Sequence, residues 1–280
     1  MIMDRIWGKV YLKSGELLDT TSQTEFETVG YIVYEVIRVQ EEVLLFLEDH
    51  IERMLNGLRT LGIESLPDFS DIRSKMISLL NANNRMAGNI KLLCKYNDKK
   101  PFLSAYYIPH AYPSKSMYEM GATLISYQVE RTDPSIKQVD VSKKVRSHFD
   151  DLKDKAKAFE VVLIDRDMNV TEGSRSNIFF IKDNLVYSAP DHTILAGITR
   201  KYVINVIENH NIRLIKRPIK FSELKNYESA FLCGTSPRVM PIHSIDKIVF
   251  KVENNTIQDI ASGYDALVNE YIKNNRNSQN

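Results

Sequence analysis

Over the first fifty residues apolar positions gather in β-branched and aromatic runs or alternate with polar ones, the signature of strands. Residues 10–19, VYLKSGELLD, read as two short strands about a Ser14-Gly15 turn, and residues 31–39, YIVYEVIRV, as a longer strand with a hairpin partner in EEVLLFL. The period then lengthens. Ile51, Met54, Leu55 and Leu58 recur on one helical face, with Asp49 as a cap and Gly62 as the stop. A second helix starts near Ser70 and carries Ile72, Met76, Leu79 and Leu80, and NIKLLCKY and FLSAYYIPH follow as strands. Residues 112–121, YPSKSMYEMG, are polar and proline-containing and read as a linker.

Beyond it, ATLISYQVER predicts a strand and residues 147–158 a short helix carrying Phe149, Leu152 and Ala156. FEVVLID and NIFFI are strand-length apolar runs, and NIFFIKDNLVYSA is a hairpin turning at Asp183-Asn184. A helix opens after Gly197 with Ile198, Tyr202, Val203, Val206 and Ile207 inward, and SAFLCGTS is a buried strand entering a glycine turn. The last helix aligns Ile257, Ile260, Ala261, Tyr264, Leu267, Val268 and Tyr271 before a frayed tail, NNRNSQN. Strands dominate and helices cluster, so two α+β domains fit better than an alternating βαβ array. A chain of 280 residues is long enough for two such domains.

Composition narrows the function classes. The apolar fraction of 43% supplies real cores, and a formal charge of +1 argues against a nucleic-acid partner. Cys94 and Cys233 lie in apolar runs without metal-ligand spacing and read as buried thiols. Neither a signal-peptide core nor an uncharged membrane-spanning run occurs, so a cytoplasmic protein without a membrane partner is expected.

Phosphate-loop, dinucleotide and nucleophile-elbow motifs are absent, and the six histidines are scattered. What remains is three polar turns after apolar strands: Thr171-Glu172-Gly173, Gly197-Ile198-Thr199 and Gly234-Thr235-Ser236. A helix N-terminus offers unpaired N–H groups and a positive dipole end, which suits a phosphate, and a threonine hydroxyl adds a donor. Any one of these turns, taken alone, is explained by a loop that needs glycine.

In this order, VTEGSRSNIFF, ILAGITR and FLCGTSPRVMP resemble the signature series of class IV aminotransferases, which include branched-chain aminotransferases, D-amino-acid aminotransferases and aminodeoxychorismate lyases. YEVIRV (34–39) and LEDHIERM (47–54) are similar to the family's opening, so the resemblance covers about residues 30–245. It implies an α+β, two-domain, fold-type IV architecture, with a small α/β domain at 1–114 and a larger pseudo-barrel domain at 118–273. It also implies pyridoxal 5'-phosphate as cofactor, amino-acid and 2-oxo-acid substrates, and a homodimer.

By the same resemblance Lys137 carries the cofactor as a Schiff base, a role only a primary amine can fill. Lys143 and Lys144 are rivals, because the interval from Lys137 to Phe159-Glu160 is longer than the family habit. Glu172 faces the pyridine nitrogen and keeps it protonated. Gly197, the N–H groups of Ile198 and Thr199, the Thr235 hydroxyl and Arg53 of His50-Ile51-Glu52-Arg53 hold the phosphate. Without the resemblance Arg53 would read as a solvated arginine and Lys137 as a surface lysine. Tyr34, Arg38, His110 and Ser236 fall in segments that line the family's substrate pocket; a buried tyrosine and an edge arginine explain Tyr34 and Arg38 equally well.

Two departures bear on substrate. D-amino-acid aminotransferases hold the carboxylate with an arginine two residues before the histidine; here Ile108 stands before His110, and an aliphatic side chain cannot supply that fork. Branched-chain enzymes use consecutive N–H groups after the glycine-threonine turn, where Pro237 has none to give. Ala196 also replaces the usual proline of that family's L-P-G-I-T-R motif. The expected activity is amino transfer from an L-, branched-chain-like amino acid to an acceptor such as 2-oxoglutarate. A pyruvate-eliminating aminodeoxychorismate lyase and a non-catalytic relative are the alternatives.

Overall fold

The computed structural model describes residues 3–21, 24–130 and 133–276, a mixed α+β chain as the patterning predicts. It divides into two compact units: Met1–Ala111 with Ile136–Lys144 and Val268–Asn280, and Tyr112–Ser135 with Val145–Leu267.

In the first unit the chain runs through β1 (Met3–Arg5), β2 (Val10–Lys13), β3 (Glu16–Asp19), β4 (Glu25–Glu27), β5 (Tyr31–Gln40), β6 (Val43–Leu44), α1 (Leu47–Thr60), α2 (Phe69–Ala82), β7 (Gly88–Asn97) and β8 (Lys100–Ile108). Six of the strands form an antiparallel sheet in the order β3-β2-β8-β7-β5-β6, while β1 and β4 pair separately. Alternation along β5 gives the sheet two buried faces. Val33, Ile37 and Val39 join Leu47, Ile51, Met54 and Leu58 of α1 and Met76 and Leu79 of α2 in one core. Tyr34 faces the other way, into a cluster with Leu93, Tyr106, Phe26 and Ile6.

Some helix starts differ from those the sequence predicts. The hairpin partner of β5 is only two residues long, because Glu41 and Glu42 both turn left-handed (φ 46° and 67°) and the chain enters α1 almost at once. Phe46, itself left-handed, precedes that helix, so Glu48 and Asp49 lie inside its first turn and face the positive dipole end instead of capping it. Asp68 caps α2 by accepting the Asp71 N–H at 2.9 Å.

The second unit begins with α3 (Lys115–Met120) and β9 (Ala122–Gln128), and the chain continues through α4 (Val139–Ala156), β10 (Glu160–Ile164), β11 (Val170–Gly173), β12 (Asn177–Lys182) and β13 (Leu185–Ser188). There follow α5 (Ile198–Asn209), β14 (Leu214–Lys216), β15 (Ser229–Gly234), β16 (Arg238–Ile245), β17 (Ile248–Val249) and α6 (Asn255–Asn275). The expected linker at 112–121 holds a helix: Ser114 caps it and Gly121 at φ 76° ends it, so residues read as loop formers are its two boundary signals. Helix α4 starts well before residue 147, whereas β10 is buried at all five positions, as the apolar run of its last four residues requires.

Nine strands make one mixed sheet, β11-β10-β9-β16-β15-β12-β13-β14, with β17 added to β16. The contacts of β9 with β10 and β16, and of β13 with β14, are parallel. Its core gathers Leu124, Val162, Ile178, Phe180, Leu232 and Met240. Asp183 and Asn184 both adopt positive φ in the β12–β13 turn, as the hairpin reading demands.

Ile37 is fully buried on the strand that carries Tyr34 and Arg38. Truncation to alanine should destabilise the protein by about 2–5 kcal/mol in chemical unfolding; an unchanged midpoint would contradict the packing described for β5.

Candidate active site

In the first unit Lys137 is fixed by its backbone. Its segment adds to the edge of β5: the Tyr34 N–H donates to the Lys137 carbonyl at 3.1 Å, and Val33 bridges Gln138 antiparallel. Ile136 joins the core beneath, so the lysine is held on both sides. Its Nζ lies 5.1 Å from the centroid of the Tyr34 ring, a cation–π distance.

Beside it, on the opposite face of β5, Glu35 is almost wholly buried and accepts hydrogen bonds from two α1 residues one turn apart. His50 Nδ1 donates at 2.7 Å, and Arg53 closes a fork through Nε at 2.8 Å and Nη2. Burial by itself would raise the Glu35 carboxyl; the Arg53 charge and the hydrogen bonds from His50 and Arg53 overturn that and hold it well below the usual carboxylate range. Burial pushes His50 down against the pull of Glu35, with the charges of Arg53 and Lys137 adding to the downward shift. A neutral histidine and an ionised glutamate therefore fix the arginine's orientation. Sequence reasoning does not single out Glu35, although it is the second residue of the YEVIRV run that opens the resemblance.

In the second unit Asn177 is the hub. Its Nδ2 donates to the Leu195 carbonyl at 2.9 Å and to Glu172 at 3.4 Å, while the same Glu172 oxygen accepts the Leu195 N–H at 3.0 Å. A side chain at Gly197 would run into the Asn177 amide oxygen, which explains glycine there. Glu172 is thus a buried carboxylate tied to the loop that leads into α5. Helix α5 starts at buried Ile198 and Thr199, and no side chain caps it. A buried, uncapped helix N-terminus leaves donors that call for an acceptor.

The turn after Glu172 is organised by a second carboxylate that sequence reasoning passed over. Buried Glu160 accepts from Ser176 Oγ at 2.8 Å, from Ser174 Oγ at 3.2 Å and from the Arg175 N–H. Burial raises its pKa, and those hydrogen bonds only partly oppose the shift. Thr235 and Ser236 follow β15, whose Cys233 pairs with Asn177, and are half-buried. Pro237 is buried, and its carbonyl accepts from Tyr118 at 2.9 Å.

The remaining candidates scatter more widely. Arg38 shares the face of Tyr34 but lies four residues, about 13 Å, further along the strand. His110 is half-buried against Trp7 (ring centroids 4.7 Å apart); burial lowers its pKa and the Arg38 charge adds to this. The side chains of Lys143 and Lys144 lie outside the described residues. Among the described residues no group of His, Cys, Asp and Glu could hold a metal ion, and no helix is long and apolar enough to cross a membrane.

Residues 32–245 match the family described as amino-transferase class IV. A D-alanine aminotransferase of Bacillus licheniformis is 29% identical over 84% of this chain and 88% of its own. Two solved structures share the fold. The branched-chain aminotransferase of Thermoproteus uzoniensis with norvaline aligns with a TM-score of 0.82 at 21% identity, covering 95% of this chain and 98% of its own. The T.th. branched-chain aminotransferase with pyridoxamine 5'-phosphate gives 0.82 at 20% identity, covering 96% and 98%.

Removing Glu35 leaves buried His50 and partly buried Arg53 without this anion, so Glu35→Ala should lose about 3–5 kcal/mol of unfolding free energy at neutral pH. The folded-state carboxyl is depressed, so its contribution is present above the unfolded pKa of about 4.3 and is lost as pH falls through the folded value. Denaturation of wild type and variant across pH should show a gap that is constant above about pH 5 and narrows below about pH 4. A gap independent of pH would refute the charge pairing.

Proposed function

We propose that this chain, which belongs to amino-transferase class IV, moves an amino group from an L-, branched-chain-like amino acid to a 2-oxo acid such as 2-oxoglutarate, with pyridoxal 5'-phosphate as cofactor. The observation that carries the reading is the Asn177 hub, which ties buried Glu172 to the loop that leads into the uncapped N-terminus of α5. A carboxylate and an uncapped helix N-terminus, joined through one amide and one loop, suit the ring nitrogen and the phosphate of that cofactor. The donor set therefore fits it.

In this reading the N–H groups of Ile198 and Thr199, the Thr235 hydroxyl and Arg53 bind the phosphate. Gly197 lets the backbone approach. Glu172 holds a proton at the ring nitrogen, and Asn177 and the Leu195 N–H keep its carboxylate aimed. Bound pyridoxal phosphate supplies an electron sink for the pair released when the substrate Cα loses its proton. The Lys137 amine would take that proton and give it back on the far side of the amino nitrogen, as general base and then general acid. Tyr34, Arg38, His110 and Ser236 line the substrate side. The enzyme acts as a cytoplasmic homodimer on this reading. The L-preference rests on Ile108, which leaves the position two residues before His110 without the arginine of D-specific relatives.

Mixing the cofactor-loaded protein with single amino acids, without acceptor, tests the reaction class by absorption and product analysis. An aminotransferase converts the cofactor to its aminated form in one stoichiometric turnover and releases a 2-oxo acid. Catalytic pyruvate release from aminodeoxychorismate with unchanged cofactor would replace this reading with the lyase, and inertness toward every donor would point to a non-catalytic relative. Glu172→Gln should keep phosphate-dependent cofactor binding yet lower kcat about 100-fold or more; unchanged turnover would remove Glu172 from the ring nitrogen.

A further inference from the structure

Lys91 lies in β7, opposite Val36 of β5 and Tyr106 of β8, on the face that carries Tyr34. It is 4% exposed, a burial depth that lysine seldom accepts without a partner. Its ammonium pairs with the Asp4 carboxylate and sits 5.0 Å from the centroid of the Tyr34 ring. Asp4 is the more exposed of the two, and it also accepts from Tyr106 Oη at 2.7 Å. An ammonium has three protons to donate. Asp4 and the Tyr34 ring account for two, and no acceptor for the third is found among the described residues. A well-packed apolar residue at this position would serve stability as well as a buried ion pair does. The charge therefore points to a use.

The same Tyr34 ring lies 5.1 Å from the Lys137 ammonium, so the two lysines converge on one aromatic side chain. Ile108, where a carboxylate-binding arginine is missing, is diagonal to Lys91 on the same sheet face: Ile108 pairs with Asn89, and Lys91 with Tyr106. We propose that Lys91 binds the substrate's α-carboxylate, supplying from β7 the cation that position 108 lacks, with Asp4 as its counter-ion when no substrate is present. The inference rests on the aminotransferase reading. It names Lys91 as a specificity-determining residue that favours amino acids over simple amines.

Two measurements test it. The first is calorimetric titration of the cofactor-loaded protein with 4-methylpentanoate, a carboxylate that has no amino group to transfer. Lys91→Met should weaken binding about 10- to 100-fold, the usual loss for a charge-assisted hydrogen bond. Asp4→Asn, which frees Lys91 from its counter-ion and preserves shape, should tighten it. Equal affinity in wild type and Lys91→Met overturns the assignment, as does weaker binding in Asp4→Asn, which also covers the case of an unfolded Lys91→Met. The second is single-turnover amination with an amino acid and with the matching amine that lacks the carboxylate. Lys91→Met should slow only the amino acid, leaving the amine within about threefold of wild type. Equal losses for both would mark Lys91 as merely structural. Carboxylate binding that depends on Lys91 in a protein unable to transaminate would sink the aminotransferase reading and spare the subsite.

Discussion

A carboxylate removed from water must be paired or hydrogen-bonded, or it gives up its charge. Among the described residues Glu35, Glu160 and Glu172 are the buried carboxylates, and each gathers backbone or side-chain donors from a separate stretch of chain. Glu35 draws α1 onto β5 through His50 and Arg53. Glu160 folds the turn at Ser174-Arg175-Ser176 onto β10, and that turn delivers Asn177 to Glu172. Arg53 is thus held by Glu35, and Glu172 by the turn that Glu160 anchors, two carboxylates that the proposed chemistry does not use. Their positions are stiff because releasing any one carboxylate strands several buried donors.

The second constraint is electrostatic. Tyr34 presents an aromatic ring to the ammonium groups of Lys91 and Lys137, and the Asp4 carboxylate pairs with Lys91. Arg53 carries a third positive charge whose partner, Glu35, is ionised throughout the physiological range. The first unit therefore gathers three cations around Tyr34 and Glu35, although the chain as a whole is nearly neutral at +1, a concentration that would favour the anionic groups of the proposed cofactor and substrate.

Most strands and the long helices were legible from period alone, because β5, β10, β12 and β15 carry unbroken apolar or alternating runs. The turn types were legible as well: Ser14-Gly15 and Asp183-Asn184 take the positive φ their residues permit. What was missed follows from reading polarity as exposure. YPSKSMYEMG reads as linker because its serine and glycine are boundary signals of a helix too short to show a period. Lys91 in NIKLLCKY and Glu160 in FEVVLID pass unremarked inside runs read simply as strands, whereas each is buried by partners distant in sequence, Asp4 for one and Ser174 to Ser176 for the other. Lys137 carries no local signal. Only the resemblance singled it out, and its pairing with the edge of β5 is invisible until that edge is assembled.

The proposed chemistry turns on Lys137 as the residue that holds the cofactor. Borohydride reduction of the cofactor-loaded protein makes the lysine linkage permanent, and peptide mass mapping then identifies the modified side chain. The label is expected on the peptide containing Lys137, with Lys143 and Lys144 unmodified. A label on either of those residues, or a protein that binds the cofactor without any lysine being trapped, would contradict it.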